Sequence, residues 1–240
     1  MKNPMLKPIL SATAVLAMLS IPAVAMAQVV DEALKDERDA GTVAEAVDTR
    51  TFPAVSFDQA DHPENIWVLD LSNGERVKIR LMEEWAPQHV ERIKTLTAQG
   101  FYDGVVFHRV IDGFMAQGGD PTGTGQGGSQ LPDLEEEFNP MPHVRGTVSM
   151  ARANEENSAN SQFFIVFYPR FSLDKRYTNF GRVIDNMAAV DSITRGEPPS
   201  NPTRILQASL ASENRPVPTS QRAAPAQDQV ITADMLNGSL

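Results

Sequence analysis

The 240-residue chain is 41% hydrophobic, enough for a sizeable core, and is long for one domain but short for two large ones. Its formal charge of −10 argues against a nucleic-acid surface, because phosphate binding needs clustered Lys and Arg. The absence of cysteine excludes disulfides, thiolate zinc sites and Cys nucleophiles.

At the N-terminus, Lys2 and Lys7 precede an apolar stretch over residues 9–27 that closes on Ala25-Met26-Ala27. A basic head, an apolar middle and small residues at −3 and −1 predict a secretory signal peptide over residues 1–27, cleaved after Ala27. An uncleaved membrane anchor is the alternative, and Pro22 and the run of Ala favour cleavage. The implied destination is export, to the periplasm in a Gram-negative cell. Loss of Lys2 and Lys7 takes the charge from −10 to −12. Residues 28–65 carry ten acidic and three basic side chains and little that could build a core, so residues 28–63 read as an acidic, flexible leader. Residues 213–240, rich in Pro, Ala, Gln and Ser, read as a flexible tail.

Between them, residues 64–212 carry a dense pattern. Ile66–Leu71, the turn Ser72-Asn73-Gly74 and residues 75–82 predict a β-hairpin. In its second strand Val77, Ile79 and Leu81 alternate with Lys78 and Arg80, which predicts one buried and one wet face. Residues 87–99 predict a helix, with Pro87 in its first turn, Val90, Ile93, Leu96 and Thr97 on one face, and Gly100 as its cap. Strands are predicted at 105–111, 114–117, 146–151, 162–167, 179–184 and 204–210, and a second helix at 187–195, ended by Gly196. Many short strands and two helices imply a mainly β fold: a closed, antiparallel, eight-stranded barrel capped by the two helices.

The run 101–120, FYDGVVFHRVIDGFMAQGGD, resembles the signature of the cyclophilin-type peptidyl-prolyl isomerases, above all in Phe107-His108-Arg109, Phe114-Met115 and Gln117-Gly118-Gly119-Asp120. The likeness continues in Gly146-Thr147-Val148-Ser149-Met150-Ala151, in Asn160-Ser161-Gln162-Phe163-Phe164-Ile165 and in Phe180-Gly181-Arg182-Val183. It implies a cyclophilin-type barrel that accelerates rotation about X–Pro bonds in unfolded or flexible exported polypeptides. It also implies no cofactor and no metal, and a monomer is expected. Arg109 is the implied donor and Gln117 the residue that would orient it. Phe114, Met115, Phe164 and Leu173 are the implied wall of the proline pocket, and Gln162 with the backbone at Ala151 and Arg152 would hold the substrate main chain. Tyr177 and His108 complete the implied substrate-binding set; His108 has the opposite pleat parity to Arg109 and suits packing or hydrogen bonding better than proton transfer.

Two positions depart from the cyclosporin-binding members. Their tryptophan falls at Ser172 and their pocket histidine at Tyr177, so isomerisation is expected to survive and cyclosporin binding to be weak or absent. Arg152 stands where many members carry Asn, a change expected to be tolerated because the backbone is used there. A chaperone-like module with the same fold and negligible turnover is the rival reading, and the pairing of Arg109 with Gln117 favours the enzyme. A hydrolase lacks any legible triad or ligand cluster. Three further patterns are set aside. Residues 123–128 fit G-x-G-x-x-G but open no helix, and are better read as a glycine-rich loop beside the pocket. Ser172-Leu173-Asp174-Lys175 fits S-x-x-K without its partner motifs. Glu135-Glu136-Glu137 reads as solvated charge.

Overall fold

The computed structural model describes residues 51–58 and 61–218. The predicted signal peptide, most of the predicted acidic leader and residues 219–240 of the predicted tail lie outside the described residues.

The first two strands, β1 (Ile66–Leu71) and β2 (Arg76–Leu81), form the expected hairpin, in register from Ile66 opposite Arg80 to Asp70 opposite Arg76. Helix α1 (Pro87–Ala98) follows and buries Val90, Ile93, Leu96 and Thr97, the i, i+3, i+6, i+7 face read from the sequence. Gly100 at φ +67° ends it: the Gly100 N–H donates to the Thr97 carbonyl and the Phe101 N–H to Leu96, the crossed pair of a Schellman cap. The remaining elements are β3 (Arg109–Ile111), β4 (Met115–Gly118), β5 (Thr147–Met150), β6 (Phe163–Val166), β7 (Asn179–Asp185), α2 (Met187–Asp191) and β8 (Ile205–Leu210). All strands join one antiparallel sheet in the order β3-β4-β6-β5-β7-β2-β1-β8. Helix α1 packs near β8, and α2 near β2.

The expected closure is corrected. β3 and β8 are the two edges of the sheet and do not pair as strands. The predicted strand over 105–111 is reduced to Arg109–Ile111, and the preceding residues only touch the opposite edge. Gly104 N–H donates to Ile205 O at 2.7 Å, Ile205 N–H to Val105 O at 2.8 Å and Phe107 N–H to Thr203 O at 2.9 Å. Pro202, just ahead of this patch, has no N–H with which to extend it. The sheet therefore curls into an open half-barrel and does not close.

The core is one continuous cluster inside the curl. At its centre Trp67 meets Tyr102 and Phe163 edge-on, with centroids 5.2 and 5.0 Å apart, and Phe107 meets Phe163 at 6.1 Å. Alternation along β6 sends Phe163 into this core and Phe164 to the opposite face, where a second apolar cluster of Phe114, Met115, Phe164, Val166, Leu173 and Tyr177 forms. The neighbouring strands divide in the same way. Val110 and Ala116 face the core, while Arg109 and Gln117 face away from it.

Three further expectations, two of them built on charge, are overturned. Arg80 is fully buried. Its guanidinium donates to the Ser56 carbonyl at 2.8 Å, to Glu84 Oε1 at 2.5 Å and to the Leu81 carbonyl, because residues 51–58 of the leader lie over it. Trp85 strengthens that cover by donating its indole N–H to Pro53 O at 2.6 Å, with Phe52 against its ring edge. Glu137, read as solvated charge, is buried and serves as the cap of α1. The helix has no side-chain cap of its own at Ala86, and Glu137 accepts from the backbone N–H groups of Gln88 (3.1 Å) and His89 (3.0 Å) and contacts His89 Nδ1 at 2.6 Å. Helix α2 stops at Asp191, not 195, because Arg195 turns back and satisfies the carbonyls of Asp191 (2.7 Å) and Ile193 (2.6 Å).

Burial pushes the Glu137 carboxyl up, but its hydrogen bonds from His89 and Gln88 outweigh that and hold it below the ordinary value. A depressed carboxyl contributes stability above the unfolded-state range and loses it as pH falls through the lowered native value. Glu137→Ala is therefore expected to cost about 2–4 kcal/mol at pH 7. The deficit should shrink as urea unfolding is repeated at pH values below the carboxylate range.

Candidate active site

The second apolar cluster floors a cavity of about 330 Å³. Phe114, Met115, Phe164, Leu173 and Tyr177 supply the apolar wall, with Phe164 and Tyr177 edge-to-face at 5.5 Å. Arg109, Gln117 and Gln162 stand on one side, the loop from Gln126 to Ser129 on another, and Ala151 and Arg152 on a third. Register explains the polar group. Arg109 lies directly across from Gln117, and Gln117 across from Phe164, so one pair of ladders puts a cation, an amide and an aromatic ring side by side.

Ten of the eleven site residues named from the sequence line this one cavity. His108 does not. It is buried beneath the glycine-rich loop, close enough that a Cβ on Gly125 would lie 3.4 Å from its ring, and both ring nitrogens lack a partner. Burial lowers its pKa, against an upward pull from Asp120, which favours the neutral form.

The hydrogen bonds within the site differ from those implied by resemblance. Gln117 does not hold Arg109; its amide donates to Gln162 Oε1 at 2.9 Å. Gln162 in turn donates to the carbonyls of Gly125 (3.0 Å) and Gly127 (2.8 Å), tying the sheet to the glycine-rich loop. Arg109 instead donates from Nε to Glu197 Oε2 at 2.7 Å. Arg152 lies 5.0 Å over the Tyr177 ring and is tethered to the carbonyls of Arg176, Ala153 and Asn154. Tyr177 is pushed up in pKa by burial, so its hydroxyl remains protonated at neutral pH.

The glycine-rich loop owes its shape to Asp120. The carboxylate accepts from the N–H groups of Thr122 (2.7 Å), Thr124 (3.1 Å), Gly125 (2.6 Å) and Gly127 (3.1 Å) and from the Thr122 hydroxyl. Burial raises its pKa, but these bonds prevail and lower it. The sequence signal was present in Gln117-Gly118-Gly119-Asp120, yet no spacing rule says that Asp120 will gather amides up to seven residues ahead. Glu197, 88 residues from Arg109, carried no signal at all.

Behind Phe164, His143 stacks at 6.3 Å and links Asp174 (Nδ1, 2.8 Å) to Ser149 (Nε2, 2.9 Å). Nothing in the sequence pointed to this hydrogen-bonded Ser149–His143–Asp174 chain. Ser149 is fully buried and does not line the cavity, so the chain braces the pocket wall and offers no nucleophile to a ligand. Among the described residues, no group of three His, Asp or Glu is arranged to hold a metal ion.

A profile of the family "Cyclophilin type peptidyl-prolyl cis-trans isomerase/CLD" matches residues 68–210. The chain belongs to the cyclophilin family. It is 43% identical over 178 residues to a "Probable peptidyl-prolyl cis-trans isomerase" of Brucella suis, covering 68% of this chain and 90% of that one. It is also 43% identical over 123 residues to the human "Peptidyl-prolyl cis-trans isomerase-like 3", covering 50% and 76%. Among solved structures, a cyclophilin from Hirschia baltica superposes with a TM-score of 0.59 at 30% identity, covering 68% of this chain and 84% of its own. A Cryptosporidium parvum cyclophilin solved in the presence of the dipeptide Ala-Pro gives 0.56 at 30% identity, covering 60% and 98%. The chain is accordingly a cyclophilin-type peptidyl-prolyl cis-trans isomerase, and the barrier it faces is amide resonance, ~18–20 kcal/mol.

The cyclophilin's loop is sterically set as well as hydrogen-bonded. A Cβ on Gly127 would lie 2.2 Å from Asp120 Oδ1, so the loop must move to accept it. Gly127→Ala is expected to lower kcat/KM about tenfold or more, since small misplacements of a site wall are costly. The unfolding midpoint should fall less than for a core truncation such as Phe163→Ala, as measured by urea denaturation beside the activity assay.

Proposed function

We propose that this cyclophilin accelerates X–Pro rotation by electrostatic stabilisation of the twisted amide, with Arg109 as the donor. Rotation breaks no bond and transfers no net proton. In the twisted state the C–N bond is single and the proline nitrogen regains a lone pair, so a fixed cationic donor aimed there favours that state over the planar one. Guanidinium suits the task because it is always charged and presents its N–H groups in a rigid plane. The observation that carries this reading is the shared cavity, in which Arg109 borders the apolar wall of Phe114, Met115, Phe164 and Leu173. The apolar wall would take the proline ring and exclude water. Gln162 and the backbone at Ala151 and Arg152 would hold the flanking main chain. The Ala-Pro dipeptide used with the Cryptosporidium relative supports proline-containing peptides as the substrate class.

The clients proposed are unfolded or flexible exported polypeptides, met in the periplasm by a monomer released from its signal peptide after Ala27. The support is the N-terminal pattern of Lys2, Lys7 and Ala25-Met26-Ala27. Cyclosporin is proposed to bind weakly. Ser172 is exposed, next to the cavity-lining Leu173 in the short turn of helix Phe171–Leu173, and offers neither an indole N–H nor a flat face.

Arg109→Ala should lower kcat/KM at least about tenfold, on the order of 1.4 kcal/mol, while the folded state persists. The measurement is a protease-coupled proline isomerisation assay on residues 28–240. A rate for the wild-type protein no faster than the spontaneous reaction would favour a binding module over an enzyme. Ser172→Trp should tighten cyclosporin inhibition by about 1–3 kcal/mol, read from inhibition curves of the two proteins side by side. Nanomolar inhibition of the wild-type protein would remove the reason for this expectation.

A further inference from the structure

The residue that holds Arg109 comes from the far end of the chain. After α2 the backbone returns to β3, where Gly196 N–H donates to Val110 O at 2.9 Å and Val110 N–H to Gly196 O at 2.8 Å. This two-bond clamp sits on the residue next to Arg109. It depends on glycine: φ at Gly196 is +143°, and a Cβ there would lie 2.6 Å from the Pro199 Cα and 3.0 Å from the Pro198 carbonyl oxygen. The clamp sets Glu197 beside Arg109, and its Oε2 receives the Arg109 Nε–H at 2.7 Å.

Geometry gives that contact a specific consequence. A guanidinium whose Nε is engaged keeps its Nη groups for a second partner, and its plane is fixed by the first contact. Arg109 lines the cavity, and its side chain is only 19% exposed. Gln117, its cross-strand neighbour, is committed to Gln162 and makes no hydrogen bond to it. Glu197 is 48% exposed, so the pair lies in water-screened surroundings where an ion pair adds little to folding stability. An effect of Glu197 on turnover would therefore have to come through Arg109.

We propose that Glu197 is the positioning residue for Arg109, holding the guanidinium plane from outside the cavity so that its remaining N–H groups face the substrate amide. The inference rests on the reading of Arg109 as the donor. Glu197→Ala is expected to lower kcat/KM for an Ala-Pro tetrapeptide about fivefold to twentyfold. The loss should fall mainly on kcat, with KM within about twofold because the apolar wall is untouched. Glu197→Gln retains an oxygen acceptor for Nε and should recover most of the lost rate. In an Arg109→Ala background, Glu197→Ala should add nothing. Urea unfolding checks that each variant is folded.

The outcomes separate cleanly. Wild-type rates in Arg109→Ala would overturn the donor reading and this inference with it. A strong defect in Arg109→Ala beside a near-wild-type Glu197→Ala would overturn the positioning role alone. So would a further loss in the double variant, because Glu197 would then act by a route other than Arg109.

Discussion

Everything in the site depends on one wall of sheet having two faces. β6 carries Phe163 and Phe164 in succession, and pleating sends them to opposite sides. The first is locked among Trp67, Tyr102 and Phe107 in the core; the second floors the cavity. β3 and β4 obey the same parity, with Val110 and Ala116 inward and Arg109 and Gln117 outward. A shift of one residue in any of these ladders would exchange a core side chain for a site side chain, so the hydrophobic core itself enforces the register of the active site. The rigidity that catalysis needs comes with the packing that folding needs.

The long stretch between β4 and β5 has no regular secondary structure and is held by buried polar anchors instead. Asp120 gathers the amides of the glycine-rich loop, Glu137 caps α1 from a distance, and His143 joins Asp174 to Ser149 behind Phe164. Each buried carboxylate would be costly if alone, and each accepts several N–H groups. Such anchors act over short distances and in fixed directions. They suit loops that must hold one shape beside a ligand better than an apolar patch would.

The chemistry asks little of the protein. A rotating amide needs a dry seat for a ring and a fixed positive donor, and the cavity combines an apolar wall with Arg109. Around this seat lie further polar features. Arg152 rests on Tyr177, Ser172 is open to water, and Glu197 is bonded to the back of Arg109. Under the proposed mechanism these positions would set how Arg109 is held and which ligands fit, while the apolar wall for the ring is kept.

The sequence by itself determined the strand and helix inventory through local period, and the family through contiguous motifs, whose resemblance in turn implied ten of the residues that meet in the cavity. Val90, Ile93 and Leu96 announce a helix face, and Phe163-Phe164 a strand, within a few residues of chain. Charge was misread at Arg80 and Glu137, since a charged side chain is buried only when distant backbone meets it: Ser56 in one case, Gln88 and His89 in the other. The open edges of the sheet, the place of His108, the Ser149–His143–Asp174 brace and the pairing of Arg109 with Glu197 belonged to the tertiary structure alone. Each depends on how segments apart in the chain meet, and that geometry exists only once the fold has brought them together.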